Sequence, residues 1–538
     1  MAQVIAAEKI FAPEKSTSQW TGYLPAIGAV AGSLLVLIAR IEIGTSFISD
    51  GALMMLALAC YLLGALFYLT NLYAPSQMSR RIGLATSTLG VFFNLSSWLV
   101  RWVAAYDREL AILRAGGSNE TPWIFRYIPF ANLYDLSLAF AFGAGISTLL
   151  LARRPKLQIL SAFTLPLAAL ILTLARFIGG EFIDLPPVLD SYWRPIHVGV
   201  ASLSYGVALV CFAIAVLYLL KDKTKVEAMA IWSGLFGIAV IATISKFSVL
   251  TEFTYRAGMF LPNTTGGKPF SAPFRLEIPY AGISLAITAV LLAATVTAFL
   301  IYLYRESEAA KRAGHILLKV AFAAQIISIL ILVAGIRGIS DAPARLAAQL
   351  SANPSQYITA GRAVAERQQL SAQEYAAMSA ADFDRLGRQY FQSNGDRFYL
   401  SLNTNPVEIA GLITALAGTF FILLFSFKTD RLRERLPSLE TLDSLMYKTA
   451  SLAFAGLAML LITGAIWANE SWGRPWGFDS KETGALVAWL TYAGFLHTRI
   501  SRGWSGRSSA YFAIVGFLFV IFTYLGVSYL LPGLHSYA

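Results

Sequence analysis

The chain contains only four histidines, so their positions limit the metal chemistry that it could perform. They are His197, His315, His497 and His535, in a chain of 538 residues. Neutral imidazole is a common ligand for metal ions and for haem iron, and each histidine is therefore a candidate ligand. Whether two of them can share one metal depends on the elements that carry them.

Cysteine usage and composition exclude several other classes of site. Cys60 and Cys211 both lie in apolar runs, which excludes a disulfide framework and a thiolate site for zinc or an iron–sulfur cluster. No Cys-x-x-Cys-His segment is present, so the chain carries no covalent c-type haem of its own. Only 14% of the residues are charged, whereas soluble domains are about a quarter charged, which excludes an ordinary soluble enzyme.

The elements that position the histidines are apolar runs of about 20 residues, each long enough to cross a bilayer about 30 Å thick. About thirteen such runs predict an all-α polytopic membrane protein. The runs are 21–40, 51–73, 82–105, 130–152, 158–178, 197–220, 228–249, 279–303, 315–338, 406–427, 446–466, 484–499 and 509–531.

Basic residues predict the orientation of these spans. A basic cluster follows every even-numbered run, as Arg80 and Arg81 do after the second. Because cytoplasmic loops carry an excess of Lys and Arg, we expect a cytoplasmic N-terminus and an external C-terminus. This pattern accounts for the net charge of +11 without a nucleic-acid partner. The long external connection 339–405 is polar, and Ser371-Ala-Gln-Glu374 predicts a capping box within a small external helical domain.

On this topology the histidines fall at the membrane boundaries, two on each side. His197 and His535 face outside, whereas His315 and His497 face the cytoplasm. A single interfacial histidine is often an ordinary amphipathic anchor. Two imidazoles on opposite faces of a porphyrin, however, give a six-coordinate haem. The two-per-side pattern therefore favours haem ligation.

The external residues 467–483, here called the aromatic segment, strengthen the haem interpretation. The segment contains Trp472, Trp476, Phe478 and Asp479, interleaved with glycines. The alternative is an aromatic belt, since Trp and Tyr are enriched at membrane interfaces. A belt explains scattered aromatics, but not a cluster with glycines that let a backbone approach a flat ligand. Indole faces offer such a ligand a planar apolar surface, so these four residues are candidate haem contacts.

Several segments together carry a family resemblance. They are the aromatic segment with Lys481-Glu482-Thr483, Leu496-His497-Thr498-Arg499, His197 with Ser204-Tyr205, Gly533-Leu534-His535-Ser536-Tyr537, and Asn132-Leu133-Tyr134-Asp135. They resemble, over about 80–220 and 436–538, the CcsA (ResC) family, the haem-handling subunits of system II cytochrome c synthases. The related CcmF and CcmC families fit the terminal and Lys-Glu-Thr segments less well. The aromatic before Asp479 is usually Trp in the family, and Phe478 keeps the ring but loses the indole N–H donor.

The resemblance also predicts the domain organisation. Residues 1–221 form an N-terminal membrane core, 222–435 an inserted four-span module, and 436–538 the aromatic segment with the C-terminal core. The module resembles in topology the partner subunit CcsB (ResB), which supplies one intramembrane haem histidine in that family. By this analogy His315 pairs with His497 at a cytoplasmic-side haem. The alternative is that His315 is a solvated interfacial residue.

The implied function is system II cytochrome c biogenesis in a bacterial inner membrane, with a periplasmic active face. Haem b would enter near His497 and His315 and pass to an external site ligated by His197 and His535. There it would be attached to the Cys-x-x-Cys-His segment of an apocytochrome c, a haem lyase or synthase activity. The implied partners are apocytochrome c, thiol-reducing thioredoxin-like proteins and a CcsB-like subunit unless the insertion replaces it.

Haem propionates need cationic partners, and five residues near the outer side are candidates. They are Arg474, Lys481, Arg101, Arg176 and Arg194. Each could instead be a residue that extends its charged end to the membrane surface. Two other functions also stay open: a haem transporter or chaperone without ligation activity, and a quinol-linked membrane cytochrome b.

Overall fold

The computed structural model describes residues 20–182, 187–262, 269–367 and 372–527. In this described part, twelve helices are long and apolar enough to cross a membrane. The expected all-α polytopic membrane fold is therefore confirmed. The elements form three groups along the chain.

The N-terminal group contains six long helices. They are α1 (Leu24–Ile43), α2 (Asp50–Tyr73), α3 (Gln77–Ala115), α4 (Leu133–Ala152), α5 (Ser161–Ile178) and α6 (Trp193–Lys221). Polar side chains set several starts: Ser49 caps α2 and Asn132 caps α4, each by accepting a backbone N–H of the first turn.

The middle group contains helices and a two-stranded antiparallel hairpin. Its elements are α7 (Val226–Thr243), α8 (Ser248–Thr251), β1 (Arg256–Leu261), β2 (Phe270–Glu277), α9 (Ala281–Arg305), α10 (Glu308–Gly338), α11 (Ala342–Ala352), α12 (Ser355–Arg367), α13 (Ala372–Ala377), α14 (Ala380–Asn394), α15 (Pro406–Ser426) and α16 (Thr429–Arg435).

The C-terminal group contains three helices and a π-helical turn. They are α17 (Leu439–Trp472), α18 (Ser480–Arg502), α19 (Arg507–Ile521) and the turn Phe522–Gly526. The predicted run 484–499 lies in α18, which is not among the twelve apolar candidates. Its histidine, arginine, threonine and tyrosine residues make α18 less apolar than the other spans.

Buried residues divide the fold into three clusters. The largest joins α1 to α6 with α17 to α19 and also includes residues of α7, α9, α10, α15 and α16. A second lies within the middle group, among α7, α9, α10 and α15. A third packs the hairpin against α11 and α12. The middle group thus has apolar cores of its own, while the candidate site belongs to the largest cluster.

The predicted external domain, 339–405, packs together with a hairpin that precedes it in the chain. The predicted span 228–249 ends as a helix at Thr243, and the hairpin follows it. Phe260 on β1 pairs with Tyr399, which joins the hairpin to the end of the predicted external domain. In β1 the side chains of Ala257, Met259 and Leu261 are buried and alternate with less buried ones. This period of two is typical of a strand, but it extends over only six residues.

Capping in the external domain occurs at a second position. Ser371 of the predicted capping box lies outside the described residues. A capping box does open α14, where Ser379 accepts the Asp382 N–H and Asp382 accepts the Ser379 N–H. Both side chains therefore satisfy backbone donors that a helix start leaves unpaired.

Candidate functional site

A cleft of about 160 Å³ lies where the N-terminal and C-terminal groups meet. The start of α4, the first turns of α6, the end of α17, the start of α18 and the π-helical turn all contribute walls. The lining side chains include Phe130, Asn132, Leu133, His197, Tyr205, Leu460, Trp467, Trp472, Trp476, Lys481, Glu482, Thr523 and Tyr524. Segments more than 300 residues apart in the sequence therefore share one cavity.

His197 is half-buried in the first turns of α6 and faces α17. Its Nδ1 lies 3.0 Å from the carbonyl oxygen of Leu460 and 3.4 Å from Thr463 Oγ1. A carbonyl can only accept, so Nδ1 carries the proton and the lone pair is on Nε2. A second partner of this kind orients most metal-ligating imidazoles. His197 thus has the tautomer that an Nε2 ligand requires.

Gly464 on α17 makes the close approach of His197 possible. A Cβ at this position would lie 2.8 Å from His197 Cε1 and 3.1 Å from Nδ1. Such distances are shorter than ordinary van der Waals contact, so any side chain here would displace the imidazole. The glycine therefore determines where His197 sits against α17.

Trp467 is a site residue that sequence reasoning did not single out. Its ring centroid lies 5.7 Å from that of His197, and the residue is 7% exposed. Among the described residues, its indole Nε1 has no hydrogen-bond partner. An unpaired buried N–H is costly, and Trp467 lines the cleft. The only sequence signal was its place at the start of the aromatic segment.

The aromatic segment begins inside a helix and ends at a helix cap. Helix α17 continues to Trp472, beyond the predicted run, and Gly473 ends it with φ of +69°. Glycine adopts this left-handed conformation without a steric penalty. The loop proper is thus only Gly473 to Asp479, and Trp476 reaches the cleft from it.

Glu482 holds this loop against the start of α18. Its Oε2 accepts the N–H of Gly477 at 2.8 Å and that of Asp479 at 3.1 Å. Asp479 in turn is the N-cap, and its carboxylate accepts the Lys481 N–H at 3.3 Å. The two carboxylates therefore form a capping box, which gives Asp479 a role in positioning the loop.

The predicted aromatic contacts differ in exposure. Trp472 and Trp476 line the cleft. Phe478 is 76% exposed, with φ of +55°, and its ring meets that of Trp476 edge-on at 6.0 Å. A non-glycine residue with positive φ is uncommon, and here it turns Phe478 outward while Trp476 turns inward.

Of the five cation candidates, Lys481 alone is among the residues that line the cleft in the described part of the chain. Arg474 is exposed in the loop and packs over Gly477. Arg176 is exposed and borders a separate cavity of about 290 Å³. Arg194 is buried and donates to the carbonyl oxygen of Arg126 at 2.9 Å.

Arg101 is fully buried in a network of its own. It donates to the Asp135 carboxylate, to Asp50 at 3.3 Å and to the carbonyl oxygen of Gly180 at 2.5 Å. A buried guanidinium requires such partners. Asp135, the last residue of the Asn132-Leu133-Tyr134-Asp135 segment, therefore binds Arg101 in this structure.

The two histidines that are predicted to face the cytoplasm lie on different helices. His315 on α10 has Nε2 3.1 Å from Glu227 Oε1, and its ring meets Phe299 edge-on. His497 is exposed on α18. Among the described residues no hydrogen bond or ring contact joins them, and their pairing at a haem stays a prediction.

His535 lies outside the described residues. The last described segment near it, the π-helical turn, contributes Thr523 and Tyr524 to the cleft. The predicted pairing of His535 with His197 stays a prediction.

Comparison with known proteins identifies the sequence relatives of this site. The family model of the cytochrome C assembly protein matches residues 130–266 and 406–535. These ranges contain His197, the aromatic segment and His535, and the unmatched stretch between them, 267–405, lies within the predicted insertion.

Curated relatives named cytochrome c biogenesis protein CcsA match part of the chain. The protein of Prochlorococcus marinus (strain MIT 9515) is 44% identical over 137 residues, which cover 25% of this chain and 43% of that protein. That of Parasynechococcus marenigrum (strain WH8102) is 52% identical over 103 residues, which cover 19% of this chain and 34% of that protein. The chain thus spans less than half the length of these relatives.

A solved structure, cytochrome c heme lyase CcmF, also matches. It is 15% identical, and the match covers 90% of this chain and 73% of that chain at a TM-score of 0.28. A TM-score this low does not establish a shared fold.

Proposed function

Because the chain belongs to the CcsA-type family of cytochrome c assembly proteins, we propose that it matures cytochromes c by presenting haem at the external membrane face. The observation that carries this proposal is the shared cleft. His197, the aromatic segment and the Asn132 segment, far apart in the sequence, line the same cavity. The donor set fits haem, because an oriented imidazole lies beside indole rings.

His197 is the proposed external ligand of the haem iron. Nδ1–H donates a hydrogen bond to the Leu460 carbonyl, so in the neutral imidazole Nε2 is the nitrogen that would bind iron. His535 is the proposed second ligand. Ligation by both residues would give the haem iron two imidazole ligands.

Trp472 and Trp476 are the proposed apolar walls for the porphyrin, held by the capping box of Asp479 and Glu482. In the proposed reaction each thiol of the apocytochrome Cys-x-x-Cys-His segment adds across a haem vinyl group. A carbon–sulfur bond forms, and the thiol proton moves to the other vinyl carbon. The chain contributes positional catalysis, because it holds the vinyl groups where the thiols arrive.

The route of haem is a further part of this proposal. Haem enters from the cytoplasmic side near His497, with His315 as the second candidate, and moves to the external cleft. Apocytochrome c is the proposed substrate protein. A CcsB-like subunit, unless residues 222–435 replace it, and thioredoxin-like reductants are the proposed partners, in a bacterial inner membrane.

The alternative functions differ in what happens after haem binds. A transporter or chaperone would bind haem at the cleft but would not attach it to a cytochrome. A quinol-linked cytochrome b would hold paired ligands on facing helices inside the bilayer. The position of His197 at the outer start of α6 and the partly open cleft favour delivery of haem.

The test is cytochrome c maturation in a bacterial host that lacks its own synthase. We expect the unaltered chain, supplied with a CcsB-like subunit where required, to produce holocytochrome. His197→Ala should abolish it and lower the haem that copurifies with the chain. Holocytochrome at the unaltered level with His197→Ala would contradict the proposal, and bound haem without holocytochrome would favour the transporter.

A further inference from the structure

The cleft contains one cationic side chain that forms no salt bridge among the described residues. Lys481 lines the cleft from the first turn of α18. The ion pairs of the described residues do not include Lys481. Of the two carboxylates beside it, Glu482 accepts two loop N–H groups, and Asp479 caps the helix and attracts Lys481 electrostatically.

The same cleft contains an unpaired neutral donor. Trp467 Nε1 is buried and lacks an acceptor in the described part of the chain. A buried N–H without an acceptor is costly unless a ligand supplies one. A cation and an N–H donor that border one cavity are together suited to a carboxylate, which can accept from both.

The other cations near the outer surface do not compete for this role. Arg101 is committed to Asp135 and Asp50, and Arg194 donates to a backbone carbonyl. Arg176 borders a different cavity. Lys481 is thus the cation that a ligand in this cleft would meet.

We propose that Lys481 and Trp467 together bind a propionate carboxylate of the haem held by His197. This inference rests on the proposed function. The propionates and the vinyl groups of haem occupy opposite sides of the porphyrin. A propionate held near α17 and α18 therefore fixes the rotation of the haem about the His197–iron axis and turns the vinyl edge away from α18. The subsite would thus select the orientation in which thiols reach the vinyl groups.

The experiment compares haem with its dimethyl ester, in which both carboxylates are blocked. Purified full-length protein in detergent is titrated with each porphyrin, and binding is followed by the Soret absorbance. We expect the unaltered protein to bind haem about tenfold more tightly than the ester, because a charge-assisted hydrogen bond is lost.

Two variants locate the effect. Lys481→Met should weaken haem binding about tenfold and leave binding of the ester unchanged. Trp467→Phe, which keeps an aromatic ring but removes the N–H, should reduce the preference for haem over its dimethyl ester. Arg176→Met, a cation outside the cleft, is the matched control and should keep the full preference for haem.

The outcomes separate this inference from the proposed function. Equal affinity of the unaltered protein for haem and ester, with binding that still depends on His197, would overturn the propionate site alone. Equal weakening of both ligands by Lys481→Met would also overturn it, since that pattern indicates a structural role. No haem binding by the unaltered protein would overturn both proposals. Because haem and ester are compared on the unaltered protein, the propionate site is tested even where a variant fails to accumulate.

Discussion

The orientation of one imidazole depends on residues that carry no chemistry of their own. His197 donates its Nδ1 proton to a carbonyl of α17, and Gly464 leaves the room for that contact. The sequence identified His197 as a candidate ligand from its residue type and boundary position. It could not identify Leu460 or Gly464, because their roles depend on the packing of α17 against α6, elements more than 200 residues apart.

Gly464→Ala tests this arrangement. Alanine favours a helix over glycine by about 1 kcal/mol, so backbone propensity alone predicts a more stable α17. The new Cβ, however, would lie 2.8 Å from His197 Cε1. We expect the imidazole to move and haem binding to weaken about tenfold, since overpacking costs about 1–3 kcal/mol. Soret titration of the purified variant measures the effect.

The control is a glycine in an open environment. Gly28 lies within α1, and a Cβ there would meet nothing within 4 Å. Gly28→Ala should leave haem binding unchanged. Haem affinity of Gly464→Ala equal to that of the unaltered protein would show that His197 does not depend on this close approach.

At the scale of elements, two helix ends hold the aromatic segment. The left-handed Gly473 closes α17, and the capping box of Asp479 and Glu482 opens α18. The sequence pattern Asp479-Ser-Lys-Glu482 matches a capping box, and the aromatic cluster around it also predicts haem contacts. Residues at a helix start can cap the helix, contact a ligand, or do both. The hydrogen-bond partners in the structure identify the capping role of Asp479 and Glu482.

Glu482→Ala should loosen the loop without removing an aromatic residue. The N–H groups of Gly477 and Asp479 would lose their acceptor, at a cost of about 1 kcal/mol for a helix cap. We expect severalfold lower haem occupancy and faster proteolysis between α17 and α18, measured by Soret absorbance and mass spectrometry of the fragments.

An equivalent capping box in the external domain provides the matched control. Asp382 accepts the Ser379 N–H at the start of α14. Asp382→Ala should remove a comparable cap while haem occupancy stays at the unaltered level. If both variants lowered haem occupancy equally, the effect of Glu482→Ala would reflect general stability and not the loop.

At the scale of the whole molecule, hydropathy predicted the spans well because a bilayer leaves few alternatives. A segment that crosses the bilayer must form all its backbone hydrogen bonds within the protein and expose apolar side chains to lipid. A run of about 20 apolar residues is therefore enough to predict a span. The hairpin β1–β2 lacked such a constraint. Its strands have six and eight residues, and contacts with α11 and α12 stabilise it, which a local pattern does not reveal.

The orientation of the molecule in the membrane determines which face bears the cleft. Positive-inside counting places the turn between α9 and α10 in the cytoplasm and α14 outside. Single cysteines at exposed positions test both: Arg385→Cys on α14 and Glu308→Cys at the start of α10. A membrane-impermeant maleimide should label Arg385→Cys in intact spheroplasts, and Glu308→Cys only after permeabilisation. The unaltered chain, with Cys211 buried and Cys60 half-buried, controls for background labelling. The reverse pattern would move the cleft to the cytoplasmic face, where it could not meet an exported apocytochrome.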